Sequence, residues 1–124
     1  MVQPIRVLIA DDSARTREGL RVLFATWPEI TVVGEAANGQ EAVRLVGECQ
    51  PDLLLIDVQM PLLDGLQATE QIKRQWPGVA VIVLTIYAVE QGAALAAGAD
   101  AFVIKGGPPE RLLAAIGVGA KVQS

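Results

Sequence analysis

The stretch LLLIDVQMPLLDG, residues 53–65, joins a continuous apolar run to an aspartate and decides the fold. Residues 53–56 show no alternation with polar residues, which is typical of a strand covered on both faces of a parallel sheet. Asp57 follows at once, and a carboxylate beside a buried segment is costly unless a partner offsets its desolvation. The stretch therefore predicts a buried strand and raises the question of which charge faces Asp57.

Five apolar runs alternate with segments of helical periodicity along the chain. The predicted strands are residues 5–10, 30–36, 52–57, 79–85 and 101–105, and the predicted helices are residues 14–27, 39–49, 65–76, 89–97 and 109–120. This repeated strand–helix order predicts one α/β domain with a doubly wound parallel sheet, since a (β/α)8 barrel needs about twice the residues. The second strand ends without chemically useful residues, so we expect it at a sheet edge.

Composition excludes several classes of function. The chain of 124 residues has a net charge of −4, which argues against direct binding of a nucleic-acid backbone. It has no histidine, which excludes histidine-dependent nucleophiles, a histidine general base and histidine-ligated zinc. The single Cys49 cannot form an internal disulfide and is expected as a small apolar residue at a helix end. Without a signal peptide or a membrane-spanning run, we expect a cytoplasmic protein.

Polar side chains collect at the carboxyl ends of four predicted strands, where parallel sheets place their sites. Asp11 and Asp12 follow the first strand, and Asp57, Thr85 and Lys105 end the third, fourth and fifth. Three converging carboxylates would repel one another, and a Mg²⁺ ion, which prefers oxygen ligands, would remove that repulsion. Lysine and threonine would add a positive charge and a hydroxyl donor. The set favours a site for phosphoryl groups with an aspartate nucleophile.

Each of these residues also has a plain structural interpretation. Asp12 or Ser13 could cap the first helix, and Asp64-Gly65 is typical of a turn into the third. Lys105 alone is typical of a solvated charge. These alternatives suffice residue by residue, but they do not explain four strand ends at once, so the set favours a functional site.

The motifs IADDSA (9–14), LIDVQMPLLDG (55–65), VIVLT (81–85) and AFVIK (101–105) resemble the signature blocks of response-regulator receiver domains. These domains belong to two-component signalling, and the resemblance covers nearly the whole chain. It implies a flavodoxin-like sheet of order 2-1-3-4-5 and a single receiver domain over residues 1–124. VVGEAANGQEAV and LQATEQIK look most like receivers of regulators with a C-terminal LuxR-type helix-turn-helix. A DNA-binding domain beyond residue 124 is therefore left open.

The resemblance assigns the acceptor and the metal site. Asp57 resembles the residue that accepts the phosphoryl group from a sensor histidine kinase. Asp12 resembles the main Mg²⁺ ligand, with Asp11 beside it, and Asp57 and the backbone carbonyl of Gln59 complete the metal site.

The resemblance also assigns a switch. Thr85 resembles the hydroxyl that turns toward the phosphoryl group, and Lys105 resembles the lysine that pairs with it. Phe102 stands at the switch-aromatic position, although a plain core role would explain it equally well. Tyr87 lies two residues past Thr85, where it either gates the site or is an ordinary loop aromatic.

Two departures from the family pattern concern the segment after Thr85 and the turn after Lys105. Lys105 follows Thr85 by twenty positions, a shorter spacing than the resemblance implies, and the intervening IYAVEQGAALAAG is rich in alanine. We therefore predict a short or mobile fourth helix, which puts the usual output surface in question. Gly106 and Gly107 separate Lys105 from Pro108, so the family's cis-proline turn is not assured.

Three functional hypotheses follow. The first is a phosphorylated switch that controls an output, which we expect to be transcription, with self-phosphorylation from small donors and dephosphorylation as its only catalysis. The second is a phosphorylation-independent interaction domain with an altered fourth-helix surface. The third, an aspartate-dependent phosphatase, is disfavoured because Gln59 stands where a second aspartate is usual. Homodimerisation is left open.

Overall fold

The fold is built on a five-stranded parallel sheet. The computed structural model describes the backbone of residues 3–123 and the side chains of residues 3–117. Its strands are β1 (Ile5–Ala10), β2 (Ile30–Ala36), β3 (Leu53–Ile56), β4 (Ala80–Thr85) and β5 (Ala101–Ile104). Their order is β2-β1-β3-β4-β5, which confirms the predicted flavodoxin-like arrangement and places β2 at an edge. Residues 1, 2 and 124 of the predicted domain lie outside the described residues.

In the described part of the chain, four helices connect successive strands, a fifth follows β5, and together they cover both faces of the sheet. They are α1 (Ala14–Ala25), α2 (Gly39–Cys49), α3 (Gly65–Gln75), α4 (Gln91–Ala96) and α5 (Pro109–Gln123). α1 ends two residues before its predicted end because Pro28 disfavours a helical conformation at Trp27. Cys49 is the last residue of α2 and Pro109 the first of α5, as expected. No helix in the described part of the chain is long and apolar enough to cross a membrane.

The core has two layers, one on each face of the sheet. Successive strand residues point to opposite faces, so Leu54 and Ile56 pack toward α2, α3 and α4 while Leu53 and Leu55 pack toward α1 and α5. All four side chains are buried. The absence of hydrophobic alternation in β3 therefore reflects burial on both sides, as the sequence predicted.

The fourth helix is short, in agreement with the prediction from the alanine-rich segment. A 3-10 turn at Ala88–Glu90 leads into only six residues of α-helix, and Ala94 is the buried residue of α4. The suggestion that this helix is mobile stays a prediction. After Lys105 the chain turns through Gly106 at φ +82°, a left-handed conformation that favours glycine, and the described residues contain no cis peptide bond.

Candidate functional site

Backbone hydrogen bonds hold the candidate residues at one edge of the sheet. The Asp57 N–H donates to the carbonyl of Ala10 at 2.9 Å, one step beyond the end of β3. The Asp11 N–H donates to the carbonyl of Ala36 at 3.0 Å. Because these bonds continue the ladders of the sheet, both aspartates are fixed by the same rigid framework that forms the core.

Three carboxylates meet at this edge. Asp11, Asp12 and Asp57 each offer an oxygen, and these oxygens lie within 4.8 Å of one another. Asp11 and Asp57 are buried, with exposures of 2% and 6%, whereas Asp12 is exposed. Ser13 caps α1 by accepting a hydrogen bond from the Thr16 N–H at 3.2 Å, which settles the choice between Asp12 and Ser13. The Asp12 carboxylate is therefore not needed to begin the helix.

Lys105 is the cation that faces Asp57. Its Nζ lies 2.6 Å from Oδ2 of Asp11 and 3.1 Å from Oδ2 of Asp57. Burial raises the pKa of Asp57, the Lys105 ammonium opposes that change, and the net pKa stays above the ordinary value. Burial lowers the pKa of Lys105, but the Asp11 and Asp57 carboxylates outweigh it, so this pKa is also raised. The lysine therefore stays charged between two buried carboxylates.

The donor set fits a hard divalent cation. Three carboxylates and one ammonium leave two net negative charges in a site whose deeper part is buried. Mg²⁺ binds oxygen ligands at about 2.0–2.1 Å in an octahedral arrangement and commonly keeps several water ligands. The spread of these oxygens suits such a mixed set of carboxylates and water. Asp11, Asp12 and Asp57 are thus the residues that could hold the predicted Mg²⁺ ion.

Thr85 lies beside the acidic cluster, but its hydroxyl is turned toward a residue that the sequence motifs did not indicate. The buried Oγ1 of Thr85 donates to Oε1 of Glu90 at 2.7 Å. The side-chain amide of Gln59 donates to Oε2 of the same carboxylate at 3.1 Å. We call this arrangement the Glu90 bridge. The sequence could have indicated Glu90, since it is the only acidic residue between Thr85 and Asp100.

Gln59 contacts the site through its backbone as well as its side chain. Its backbone N–H donates to the carboxylate of Asp57, which lowers the pKa of that group against the larger effect of burial. The predicted role of its backbone carbonyl as a metal ligand stays a prediction. The side chain is exposed at the rim, where it reaches Glu90.

The two aromatic residues of the predicted switch occupy different environments. Tyr87 is 48% exposed, and its backbone N–H donates to Oγ1 of Thr85 at 3.3 Å. Phe102 is half-buried against the core layer of α2, α3 and α4, and it lines a groove of about 290 Å³ together with Ala88 and Gln91. Phe102 therefore packs on the core and borders the same groove as the segment that follows Thr85, and its switching role stays a prediction.

Arg17 supports the site from α1, and sequence reasoning did not single it out. Its Nη1 donates to the carbonyl of Asp11 at 2.6 Å, and its Nε donates to Oε1 of Glu35 at 3.1 Å. Arg21 pairs with the other oxygen of Glu35 at 2.8 Å. Nothing in the spacing of α1 revealed this contact, because Glu35 belongs to β2 and becomes a neighbour only in the folded chain.

Gly65 closes the loop that follows the acceptor. Its N–H donates to the carbonyl of Val58 at 2.9 Å. A Cβ at this position would lie 1.9 Å from the carbonyl oxygen of Asp57, so only glycine fits. Asp64 accepts a hydrogen bond from the Gln67 N–H and caps α3, as the predicted turn implied. The beginning of α3 thus packs directly on the backbone of Asp57.

Comparison with curated proteins identifies relatives that are named response regulators or transcriptional regulatory proteins. The chain is 46% identical over 111 residues to the uncharacterized transcriptional regulatory protein YhcZ of Bacillus subtilis (strain 168), covering 88% of this chain and 52% of that protein. It is 34% identical over 116 residues to the nitrate/nitrite response regulator protein NarL of Escherichia coli (strain K12), covering 92% and 54%. The chain spans about half the length of the curated relatives it matches.

Solved structures agree with the sequence relatives. The signal receiver domain of the putative response regulator NarL of Mycobacterium tuberculosis superposes with a TM-score of 0.90 at 28% identity, covering 96% of this chain and 98% of that one. A LuxR-family response regulator of Aurantimonas sp. SI85-9A1 gives a TM-score of 0.90 at 31% identity, covering 96% and 86%. Residues 7–117 match the family model of the response regulator receiver domain. The chain therefore belongs to the response regulator receiver domain family.

Proposed function

We propose that this chain is a phosphoacceptor switch in which Asp57 receives a phosphoryl group in a Mg²⁺-dependent reaction. The observation that carries the proposal is the position of Lys105, whose Nζ contacts Asp11 at 2.6 Å and Asp57 at 3.1 Å beside a cluster of three carboxylates. A buried acceptor, a neighbouring cation and acidic metal ligands are the parts that phosphoryl transfer requires.

The residues of the site would act mainly by position and charge. An Oδ atom of Asp57 forms a bond to phosphorus while the bond from phosphorus to the donor nitrogen breaks, and that nitrogen keeps the electron pair and takes a proton. A Mg²⁺ ion held by Asp11, Asp12 and Asp57 would supply positive charge to the phosphoryl oxygens. Lys105 adds a second positive charge from the protein itself. No histidine base is needed, in keeping with the absence of histidine from the sequence.

Family membership supports a proposal for the donor and for the output. Two-component regulators receive their phosphoryl group from a phosphohistidine, so we propose a sensor histidine kinase as the partner and the cytoplasm as the location. Two relatives from Bacillus subtilis, YhcZ and YxjL, are named transcriptional regulatory proteins, and control of transcription through a further domain is the proposed output. The chain itself would act as a switch and would have no external substrate beyond its phosphoryl donor.

Phosphorylation from a small donor tests the proposal. The protein is incubated with Mg²⁺ and acetyl phosphate, and its intact mass is then measured. We expect the mass of one phosphoryl group to appear, to be absent with EDTA, and to be absent from Asp57→Asn.

Asp64→Asn is the matched control, because Asp64 caps α3 and asparagine also caps helices well, so we expect the fold to be retained. This control should gain the phosphoryl mass as the wild type does. Absence of added mass from the wild type, or a gain that survives Asp57→Asn, would refute the proposed function.

A further inference from the structure

In the Glu90 bridge, the Thr85 hydroxyl donates its hydrogen bond to Glu90 and not to the acceptor site, where a phosphoryl group on Asp57 would need it. Oγ1 of Thr85 is fully buried and donates its hydrogen to Glu90 at 2.7 Å, an oxygen–oxygen distance typical of a strong bond to a charged acceptor. A threonine hydroxyl carries a single hydrogen. It cannot donate to Glu90 and to a phosphoryl oxygen on Asp57 at the same time.

The Glu90 carboxylate is itself held in place. The amide of Gln59 donates to its second oxygen at 3.1 Å, and the Glu90 N–H donates to the carbonyl of Tyr87 at 3.1 Å. Both carboxylate oxygens therefore accept a hydrogen bond, one from Thr85 at the end of β4 and one from Gln59 in the loop that follows β3. This arrangement is a specific contact between the segments following β3 and β4, since a solvated surface charge would not be fixed at both oxygens.

We infer that Glu90 is a positioning residue that holds Thr85 in the conformation incompatible with phosphoryl binding, and so sets the resting balance of the switch. The inference rests on the proposed function, because the competing acceptor is a phosphoryl group on Asp57. Phosphorylation would then require Thr85 to leave Glu90. Any contact that stabilises the Glu90 bridge stabilises the resting state in the same proportion.

The same step would change the surface beyond the site. Thr85 also accepts the Tyr87 N–H at 3.3 Å, so its departure removes two hydrogen bonds that hold residues 86–90. This segment carries three exposed large side chains: Ile86, Tyr87 and Val89 are 62%, 48% and 92% exposed. Loss of the Glu90 bridge therefore frees an apolar surface segment to rearrange at the beginning of the short α4.

Beryllofluoride, a phosphoryl mimic, measures this balance without catalysis. Its apparent affinity is determined at saturating Mg²⁺ for the wild type, Glu90→Gln and the matched control Glu70→Gln. Glutamine keeps the shape of Glu90 but accepts a weaker, neutral hydrogen bond, so we expect about five- to tenfold tighter binding. Among the side chains that the structure describes, Glu70 pairs with Arg74 alone, on the exposed face of α3, so its variant should match the wild type.

A double-mutant cycle separates release of Thr85 from simple removal of a charge. In a Thr85→Val background there is no hydroxyl to release, so Glu90→Gln should change the affinity by about twofold or less. As a second measurement, the amide resonance of Tyr87 in unliganded Glu90→Gln should move toward its position in the beryllofluoride-bound wild type. A purely structural role of Glu90 would not produce that shift.

The outcomes distinguish this inference from the proposed function. A wild type that binds no beryllofluoride overturns both. A wild type that binds it while Glu90→Gln equals Glu70→Gln overturns the role of Glu90 alone. An equal gain in the threonine and valine backgrounds assigns the effect to charge and overturns the role as well. A gain that depends on Thr85, with the Tyr87 shift, supports it.

Discussion

Substitution of Gly65 by alanine tests whether α3 and the acceptor form one rigid unit. The added Cβ would lie 1.9, 2.7 and 2.8 Å from three backbone atoms of Asp57 and Val58. Backbone atoms cannot rotate away as a flexible side chain would. Since real Cβ contacts essentially never fall below 3.0 Å, the shortest contact must lengthen from 1.9 to 3.0 Å, a displacement of 1.1 Å.

The energetic cost follows from that displacement. Overpacking costs about 1–3 kcal/mol, and loss of the bond from the Gly65 N–H to the Val58 carbonyl costs about 0.5–1.5 kcal/mol more. The higher helix propensity of alanine recovers at most about 1 kcal/mol. We expect the free energy of unfolding to fall by about 2–3 kcal/mol, a large share of the roughly 5–15 kcal/mol of an ordinary domain.

The chemical cost is expected to be about as large as the loss of stability, since a 100-fold change in rate corresponds to about 2.7 kcal/mol. Movement of the Asp57 backbone by about 1 Å takes the acceptor out of line with its donor, and misplacement on this scale costs on the order of 100-fold in rate. Urea unfolding measures the first effect, and the initial rate of acetyl phosphate labelling measures the second. Both are compared at a temperature where the variant remains folded.

Gly19→Ala is the matched control. Gly19 lies in α1, and no heavy atom outside its own stretch of helix lies within 4 Å of the place that an added Cβ would occupy, so alanine should stabilise the fold by about 0.5–1 kcal/mol and leave labelling unchanged. If Gly65→Ala unfolds at the wild-type urea concentration and labels at the wild-type rate, the close packing of α3 on Asp57 is not a constraint. The account of the acceptor's rigidity would then be wrong.

Three further predictions concern charged residues. Lys105→Met should lower the free energy of unfolding by about 3 kcal/mol in EDTA, because Asp11 and Asp57 lose their shared cation. Mg²⁺ should then restore more stability to this variant than to the wild type, as measured by urea unfolding with and without Mg²⁺. Mg²⁺ at about 100 times its Kd should stabilise the wild type against thermal unfolding by about 2.7 kcal/mol. Asp12→Asn should weaken this stabilisation and leave the stability in EDTA unchanged. An equal response of variant and wild type to Mg²⁺ would show that Asp12 is not a metal ligand. Lys73→Met should lower the free energy of unfolding by about 2–3 kcal/mol, since the Lys73 ammonium bonds one carboxylate and two backbone carbonyls where β4 and β5 begin. Acetyl phosphate labelling should be unchanged, because the site lies at the other ends of these strands. Loss of labelling in the folded variant would show that Lys73 and the site are not independent.

The sheet could be predicted from the sequence because the burial of each strand is visible in a few consecutive residues. Uninterrupted apolar runs such as residues 53–56 show burial on both faces, and the side chain that ends each run must then lie at the carboxyl edge. This reasoning placed Asp57 and Lys105 at the same edge, where a distance of 3.1 Å now joins them. It also predicted the short α4, since a run of alanines supplies little apolar surface to pack.

The parts that sequence reasoning missed depend on contacts between distant elements. Nothing in the helical periodicity of α1 singled out Arg17, yet its guanidinium bonds the Asp11 carbonyl and the Glu35 carboxylate. The end of α1 was overestimated because the apolar period continues to Trp27, although the backbone had already left the helix ahead of Pro28. Periodicity reports which face a side chain occupies, but it does not report which polar group of another element meets it.

The segment after Thr85 joins the switch residue directly to the short α4. Glu90 ends a 3-10 turn that brings its carboxylate within 2.7 Å of the Thr85 hydroxyl. α4 has six residues and Ala94 as its buried residue, so little packing energy fixes the helix. The Glu90 bridge then supplies part of the restraint that a longer helix would obtain from its core. A switch that releases Glu90 would therefore loosen α4 at its beginning, where its restraint is concentrated, and the resting state and the surface of α4 would depend on one carboxylate.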